Sequence, residues 1–232
     1  MNVFVEALAW LADPEHWSGP NGIPTRLLEH VQLSAAGLGI AAATALPIGL
    51  VVGHARSRRG EVFAVQAANA ARAVPTFAVL VLVYVLMLEY RPSLAFGFVP
   101  TVVALVLLGI PPILVNTTVG VRAVDADLRE SATGMGMSGR QLLRWVEVPL
   151  SAPLVVTGLR IAALQIVATA TLAAFIAGGG LGRYIRDGYA QQEPDMMIAG
   201  AYLVALLALA TEGLFWLLTR ATRPERIGGG RR

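Results

Sequence analysis

The chain has no cysteine and no lysine, and charged side chains make up only 14% of its 232 residues. The missing cysteines exclude disulfides and thiolate metal sites, and they leave the redox compartment open. The three histidines, at positions 16, 30 and 54, lack the spacing of a metal site or a catalytic triad. The low charge also argues against one soluble domain, because a soluble fold of this size must cover its surface with polar side chains.

The sequence instead contains long runs of apolar residues. Hydrophobic residues make up 56% of the chain and the mean hydropathy is +0.64. Runs near the length of about 20 residues that crosses a bilayer core predict transmembrane helices, because a lipid-facing backbone must satisfy its own hydrogen bonds. The fold class that we predict is all-α, a polytopic membrane helical bundle. We expect about five spans, at residues 31–53, 62–88, 98–121, 150–177 and 196–219.

The basic residues, all arginine, cluster at the ends of these spans. The pI of about 9.8 is compatible with a nucleic-acid partner, but orientation in a membrane explains such clusters better, so we expect no nucleic acid. By the positive-inside rule the N-terminus lies outside and the C-terminus lies in the cytoplasm. The sequence then forms one transmembrane domain, residues 1–232, with an external interfacial leader at 1–27 and a polar cytoplasmic insert at 122–147.

The insert is long enough for two short helices. Either Asp125 or Asp127 is suited to cap the start of the first. The glycines that follow should break it, since glycine destabilises a helix interior; they are Gly134, Gly136 and Gly139. The residue types alone leave two alternatives open, an amphipathic loop whose arginines bind lipid headgroups and a surface that docks on a partner.

The spacing within the insert resembles a known loop. Glu130 and Ala132 are followed by Gly136, six positions after Glu130, and then by Val146 and Val148-Pro149. This skeleton resembles the EAA loop, by which membrane subunits of ATP-binding-cassette (ABC) importers engage their ATPase. Residues 71–80 and 169–182 resemble segments of permeases for osmoprotectants such as glycine betaine, choline and carnitine. The similarity covers about residues 28–220.

The resemblance implies a type I ABC importer permease fold, MetI-like, in a bacterial inner membrane. It assigns to ATPase coupling Glu130, Ser131, Ala132, Gly136 and Met137; Ser131 stands where alanine is usual. It implies a cytoplasmic ABC ATPase dimer, a second copy or paralogue of the permease, an extracytoplasmic substrate-binding protein and membrane lipids as partners. The chain itself is then expected to hold no cofactor, because the partner ATPase binds ATP.

Three charged residues fall inside apolar spans at similar depth, where a charge costs at least about 2.5 to 3.5 kcal/mol. Either Arg72 or Arg160 is placed to pair with Glu212, as a gate latch or as a static pair that fixes helix register. Four uncharged polar residues are candidates for lining a pathway or for interhelical hydrogen bonds. They are Thr76, Asn116, Gln165 and Thr169.

A glycine run at residues 178–182 lacks the Lys-Ser/Thr that completes a phosphate-binding P-loop, so a tight turn is expected there. Without a Walker lysine motif the chain is expected to be a non-catalytic pore subunit, with no catalytic and no metal site. The alternatives are an importer permease for another small solute, such as an amino acid or a trimethylated compound, an ion-coupled secondary transporter, and an intramembrane hydrolase.

Overall fold

Helices form all of the regular secondary structure that the computed structural model describes, in residues 2–176 and 178–222. The description leaves out seven side chains within these ranges, those of Glu61, Ala67, Asn69, Ala71, Arg72, Ala221 and Thr222. The α-helices are α1 Val3–Ala12, α2 Ile23–His54, α3 Arg58–Ala73, α4 Thr76–Tyr90, α5 Phe98–Arg122, α6 Ala126–Gly134, α7 Gly139–Leu142, α8 Val148–Ala170, α9 Gly182–Gln191 and α10 Pro194–Thr222. The 3₁₀ segments are Pro14–Trp17, Pro92–Leu94 and Thr171–Ile176, and a π-helical turn covers Leu143–Glu147.

Within the described residues, four stretches of helix are long and apolar enough to cross a membrane. They are Ile23–His54, Phe98–Arg122, Gly139–Ile176 and Pro194–Arg220. The third of these joins α7, the π-helical turn, α8 and a 3₁₀ turn into one continuous path. These stretches confirm the first, third, fourth and fifth predicted spans.

The predicted second span, residues 62–88, differs from the structure because it is not one helix. The helical conformation is interrupted between α3 and α4, at Val74 and Pro75. Val74 is extended, with φ −85° and ψ 125°, as expected for a residue whose α conformation clashes with the ring of the following proline. The 15 residues of α4 rise about 22 Å, less than a bilayer core of roughly 30 Å.

The core of the bundle is the packing of α2, α5 and α8, in which glycines let the helices approach closely. A Cβ placed on Gly49 of α2 would lie 2.8 Å from Thr117 Cβ, and one on Gly158 of α8 would lie 2.7 Å from Asn116 Cβ. Lipid tails are as apolar as leucine, so helix association in a bilayer depends on such close van der Waals contact. By contrast, only 6% of the most apolar 18-residue segment of α10 is buried within the chain, so this helix lies at the periphery of the bundle.

The N-terminal leader folds into a short helix, α1, that packs on α10 and α9. The Trp10 ring stacks on His16, with centroids 3.7 Å apart, and meets the Tyr184 ring edge-on at 5.3 Å. The Tyr184 hydroxyl donates to the carbonyl of Asn21 at 2.7 Å, and burial raises its pKa to about 12, so it remains a donor at any physiological pH. We call this side of the bundle the leader end, and the opposite side, which carries residues 122–147, the insert end.

The close approach of α2 and α5 predicts that Gly49→Ala lowers stability. The added methyl must displace Thr117, and overpacking of this kind typically costs about 1–3 kcal/mol. Gly39→Ala on the same helix is the matched control, because Gly39 has nothing within 4 Å and alanine favours a helix by about 0.5–1 kcal/mol over glycine. Thermal unfolding of the detergent-purified chain should show a lower midpoint for Gly49→Ala only. Equal midpoints for both variants would contradict the tight α2–α5 crossing.

Candidate docking site in the insert

The insert begins with a capped helix. Asp125 Oδ1 accepts from the backbone N–H of Asp127 at 2.7 Å and of Leu128 at 3.2 Å, and it satisfies two of the free donors at the start of α6. Of the two predicted caps, the structure therefore uses Asp125. Asp127 lies in the first turn of α6, where a negative charge interacts favourably with the helix dipole.

The predicted glycine break is present between α6 and α7. Helix α6 ends at Gly134, and Gly136 has φ +88°, a conformation that side chains with a Cβ rarely adopt. A capping box then starts α7: the Ser138 side chain accepts from the Gln141 N–H, and Gln141 Oε1 accepts from the Ser138 N–H at 2.8 Å. The chain thus makes a sharp turn whose shape depends on Gly136.

The five residues predicted to couple to an ATPase lie together on the second half of α6 and the turn that follows. Glu130, Ser131 and Gly136 are exposed, Met137 is half-buried, and Ala132 is buried against the bundle. A shallow cavity of about 260 Å³ lies beside them. Its lining is formed by Arg56, Ala126, Arg129, Glu130, Thr133 and Leu142. The outward face of α6 therefore carries a polar ridge, formed by Glu130 and Ser131, and a small cavity, while Ala132 on its other face packs against the bundle.

A buried carboxylate lies beneath this surface. Glu147 is completely buried, and basic side chains from two other helices contact it. His54 Nδ1, at the end of α2, donates to Glu147 Oε2 at 2.6 Å, and Arg129 Nε of α6 forms an ion pair with Glu147 Oε1 at 2.8 Å. A buried charge is tolerated only when it is paired, so this set of residues, the Glu147 triad, holds α2, α6 and the start of α8 together.

A second set of contacts joins the loops on either side of the insert end. Arg56, with φ +49°, donates from Nη2 to the carbonyl of Val124 at 2.7 Å. Arg122 Nη1 lies 3.4 Å from the carbonyl of Ser57, which it contacts as a donor. These bonds hold the loop that precedes α6 against the loop that follows α2.

The structure brings together two of the three charged residues predicted inside the membrane. Arg160 Nε of α8 donates to Glu212 Oε2 of α10 at 2.8 Å, and Arg160 Nη2 makes a second bond to Glu212 Oε1. The side chains are 37% and 33% exposed in the single chain. The side chain of Arg72 lies outside the described residues, so the alternative pair of Arg72 with Glu212 stays a prediction.

The four uncharged candidates for a pathway lie at separate places in the bundle. Thr76 lines a groove of about 220 Å³ between α4 and α5. Asn116 Nδ2 donates to the carbonyl of Pro112 on its own helix at 2.8 Å. Gln165 and Thr169 are half-buried one turn apart on the same face of α8.

The glycine run at the leader end forms the predicted turn, and an internal carboxylate holds it. Gly180, with φ +89°, donates its N–H to Glu29 Oε2 at 2.8 Å, and Arg26 Nη1 donates to the same oxygen at 2.8 Å. A Cβ on Gly179 would lie 2.3 Å from that oxygen, so a larger residue there would require the Glu29 carboxylate to move. The turn is therefore filled by a side chain of this protein.

Sequence reasoning missed the partners of both carboxylates. Glu147 and His54 are 93 positions apart, and Glu29 and Gly180 are 151 apart. The available signal was an acidic residue placed directly before the apolar run that starts at Val148. Among the described residues, no cluster of three or more His, Cys, Asp or Glu side chains could hold a metal ion.

Comparison with known families and proteins gives a consistent result. Residues 45–224 match the family of "Binding-protein-dependent transport system inner membrane component". The carnitine transport permease protein OpuCB of Listeria monocytogenes is 37% identical over 204 residues, 86% of this chain and 88% of that protein. The glycine betaine/carnitine/choline transport system permease protein OpuCB of Bacillus subtilis is 33% identical over 201 residues, 87% of this chain and 88% of that protein.

Two solved structures share the fold at low sequence identity. A chain of the MetNI methionine ABC transporter, in an inward-facing conformation, has a TM-score of 0.75 and 18% identity; the match covers 87% of this chain and 96% of that one. A chain of an amino acid ABC transporter has a TM-score of 0.67 and 19% identity, covering 86% and 93%. The predicted all-α, MetI-like permease fold is confirmed.

Proposed function

Since the chain belongs to the family of inner membrane components of binding-protein-dependent transport systems, we propose that it is the pore subunit of an ATP-driven importer of quaternary-amine osmoprotectants. The observation that carries the substrate class is the similarity to permeases named for carnitine, choline and glycine betaine over more than four-fifths of the chain. The chain is a multi-pass protein of the inner membrane, with long apolar helices that suit this location.

The chain acts in this proposal as a non-catalytic subunit that receives mechanical force. A dimer of cytoplasmic ABC ATPases binds and hydrolyses ATP, and the insert docks on it through Glu130, Ser131, Ala132, Gly136 and Met137. The exposed side chains of Glu130 and Ser131 on α6 and the positive-φ turn at Gly136 support this role, because they form an accessible surface at one end of the bundle. A second copy or a paralogue completes the pathway, and an extracytoplasmic binding protein delivers the solute at the leader end.

The pair of Arg160 and Glu212 has a static role in this proposal. Two hydrogen bonds join a guanidinium to a carboxylate, which fixes the register of α8 against α10. Each side chain remains about one-third exposed, so the pair lies at the edge of the chain's own packing. Thr76, Asn116, Gln165 and Thr169 stay candidates for the pathway, and Gln165 with Thr169 offers a continuous polar strip.

Reconstitution of the complete complex tests the function. Proteoliposomes that contain this chain, its partner permease if there is one, the ATPase and the binding protein should take up radiolabelled glycine betaine, choline or carnitine only with ATP. Ionophores that dissipate ion gradients should leave the uptake unchanged. Uptake driven by an ion gradient without ATP would contradict the proposal, and uptake confined to an amino acid would replace its substrate class.

Changes at the docking surface should uncouple hydrolysis from uptake. Glu130→Lys reverses an exposed charge and Gly136→Asp adds a charged side chain at a turn, so each should lower uptake per ATP by about tenfold or more while the protein stays in the membrane. Gly19→Asp is the matched control for the second change: Gly19 has φ +78° and, like Gly136, nothing within 4 Å, but it lies at the leader end. Glu193→Lys, at an exposed acid of that same end, controls the first. Full transport by both insert variants would refute the docking role.

Exchange of the two charges on α8 and α10 separates a static pair from a gate. Either Arg160→Glu or Glu212→Arg alone should reduce the yield of folded protein, because an unpaired charge within a span costs at least about 2.5 to 3.5 kcal/mol. The double exchange restores the pair with its direction reversed, and both the yield and the transport rate should recover. Recovery of the yield without transport would show that the pair works as a gate.

A further inference from the structure

We propose that Glu147 is the positioning residue that transmits movement of the insert to the transmembrane helices α2 and α8. The inference rests on the proposed function and identifies where force from the ATPase enters the bundle. Glu147 is the last residue of the π-helical turn, directly before α8 begins at Val148. The backbone path from the insert into the membrane therefore passes through this residue.

The side chain of Glu147 adds two links that the backbone does not provide. His54 is the final residue of α2, and Arg129 directly precedes Glu130 on α6. One carboxylate therefore contacts the end of a membrane helix and the helix that carries the docking residues. A displacement of α6 that left α2 or α8 in place would separate opposite charges and leave a buried carboxylate unpaired. The three helices consequently move together.

The carboxylate at the centre of the Glu147 triad lies in a buried part of the insert end. The Glu147 side chain has no exposed surface, and Ala132 on α6 and Leu142 on α7 are 2% and 3% exposed. A Cβ on Gly139 would lie 3.4 Å from His54 Nε2, so the start of α7 passes close to the histidine. A packed site of this kind transmits a shift and does not absorb it.

Two other polar contacts at the insert end lie within α6 or on the loop before it. Arg56 holds the carbonyl of Val124, which lies in the loop before α6. The Thr133 hydroxyl donates to the carbonyls of Arg129 and Glu130 within α6 itself. The ion pair of Arg129 with Glu147 joins α6 directly to the membrane-spanning path that contains α8.

The π-helical turn gives the same place a second property. It covers Leu143–Glu147 between two α-helical stretches. π-helical turns are rare in proteins, and those that occur are often found at functional sites. Its outward side carries Trp145, which is 60% exposed, while its last residue is fully buried. The turn therefore faces the surroundings on one side and the triad on the other.

Substitution of Glu147 by glutamine tests the transmission. Glu147→Gln keeps the size of the side chain and removes its charge, and Glu193→Gln, at an exposed acid of the leader end, is the control for loss of a charge. In the reconstituted complex, Glu147→Gln should retain the ATPase on purification and still hydrolyse ATP, while uptake per ATP falls by about fivefold or more. Hydrogen exchange should become faster in residues 126–134 and stay unchanged in residues 158–167 of α8.

Variants of Arg129 and His54 distinguish transmission from simple loss of stability. Arg129→Gln and His54→Gln should each lower uptake per ATP, and combined with Glu147→Gln they should be no worse than Glu147→Gln alone, because all three act through one link. Arg129 is more exposed than Glu147, with 16% of its side chain accessible, so Arg129→Gln carries the test with the same measurements if Glu147→Gln does not fold.

The possible failures are separable. ATP-dependent uptake by the unaltered complex, together with unchanged uptake per ATP in the Glu147 and Arg129 variants, would overturn the transmission role alone. A loss of uptake that only follows the amount of folded complex, with unaltered exchange in α6, would do the same. Absence of ATP-dependent uptake by the unaltered complex would overturn the proposed function and this inference with it.

Discussion

A fully buried carboxylate imposes the main constraint on this structure. Glu147 has no access to solvent, and its charge is tolerated because His54 and Arg129 reach it from two other helices. The geometry of the insert end follows from this requirement. Helix α6 must lie where Arg129 can reach the carboxylate, and α2 must end where His54 can do so. The exposed residues of α6 then face outward, on a helix that Arg129 attaches to the bundle.

The transmembrane helices α2, α5 and α8 pack in close contact. Glycines on α2, α5 and α8 allow helix backbones to approach to distances that a methyl group would prevent, as at Gly49 and Gly158. Polar links occur at both ends: the Glu147 triad at the insert end, and Glu29 with the Gly180 amide at the leader end. The helices are therefore joined by close packing along their length and by polar contacts at both ends.

Sequence reasoning predicted the features that depend on local composition. Apolar runs gave four of the spans, Asp125 was one of two predicted caps, and the glycines predicted the break after α6. Pro75 and the extended Val74 before it were visible in the sequence, yet the apolar run across them suggested one helix where the chain forms two. A hydropathy average over a long window does not register one proline, whereas that proline disfavours the helical conformation at the residue before it.

The contacts missed from the sequence are those between distant residues. Glu147 meets His54 across 93 positions, and Glu29 meets Gly180 across 151. Charge and spacing indicated that Glu212 needed a cation and left Arg72 and Arg160 as equal candidates; only the packing of α8 against α10 selected Arg160 for the described pair. The assignment of five residues to docking came from the resemblance to the EAA loop. The structure places them together on α6 and the turn that follows, with three exposed, Met137 half-buried and Ala132 buried.

The central claim is that force enters this chain at the insert, on the cytoplasmic side, from a separate ATPase. The chain has no cysteine, so a single cysteine at exposed Met135, beside the docking ridge, is a unique chemical probe. In membranes that contain the complex, Met135→Cys should cross-link to the ATPase subunit and react with impermeant maleimide only from the cytoplasmic side. Labelling from the outside of intact cells, with no cross-link to the ATPase, would contradict the account.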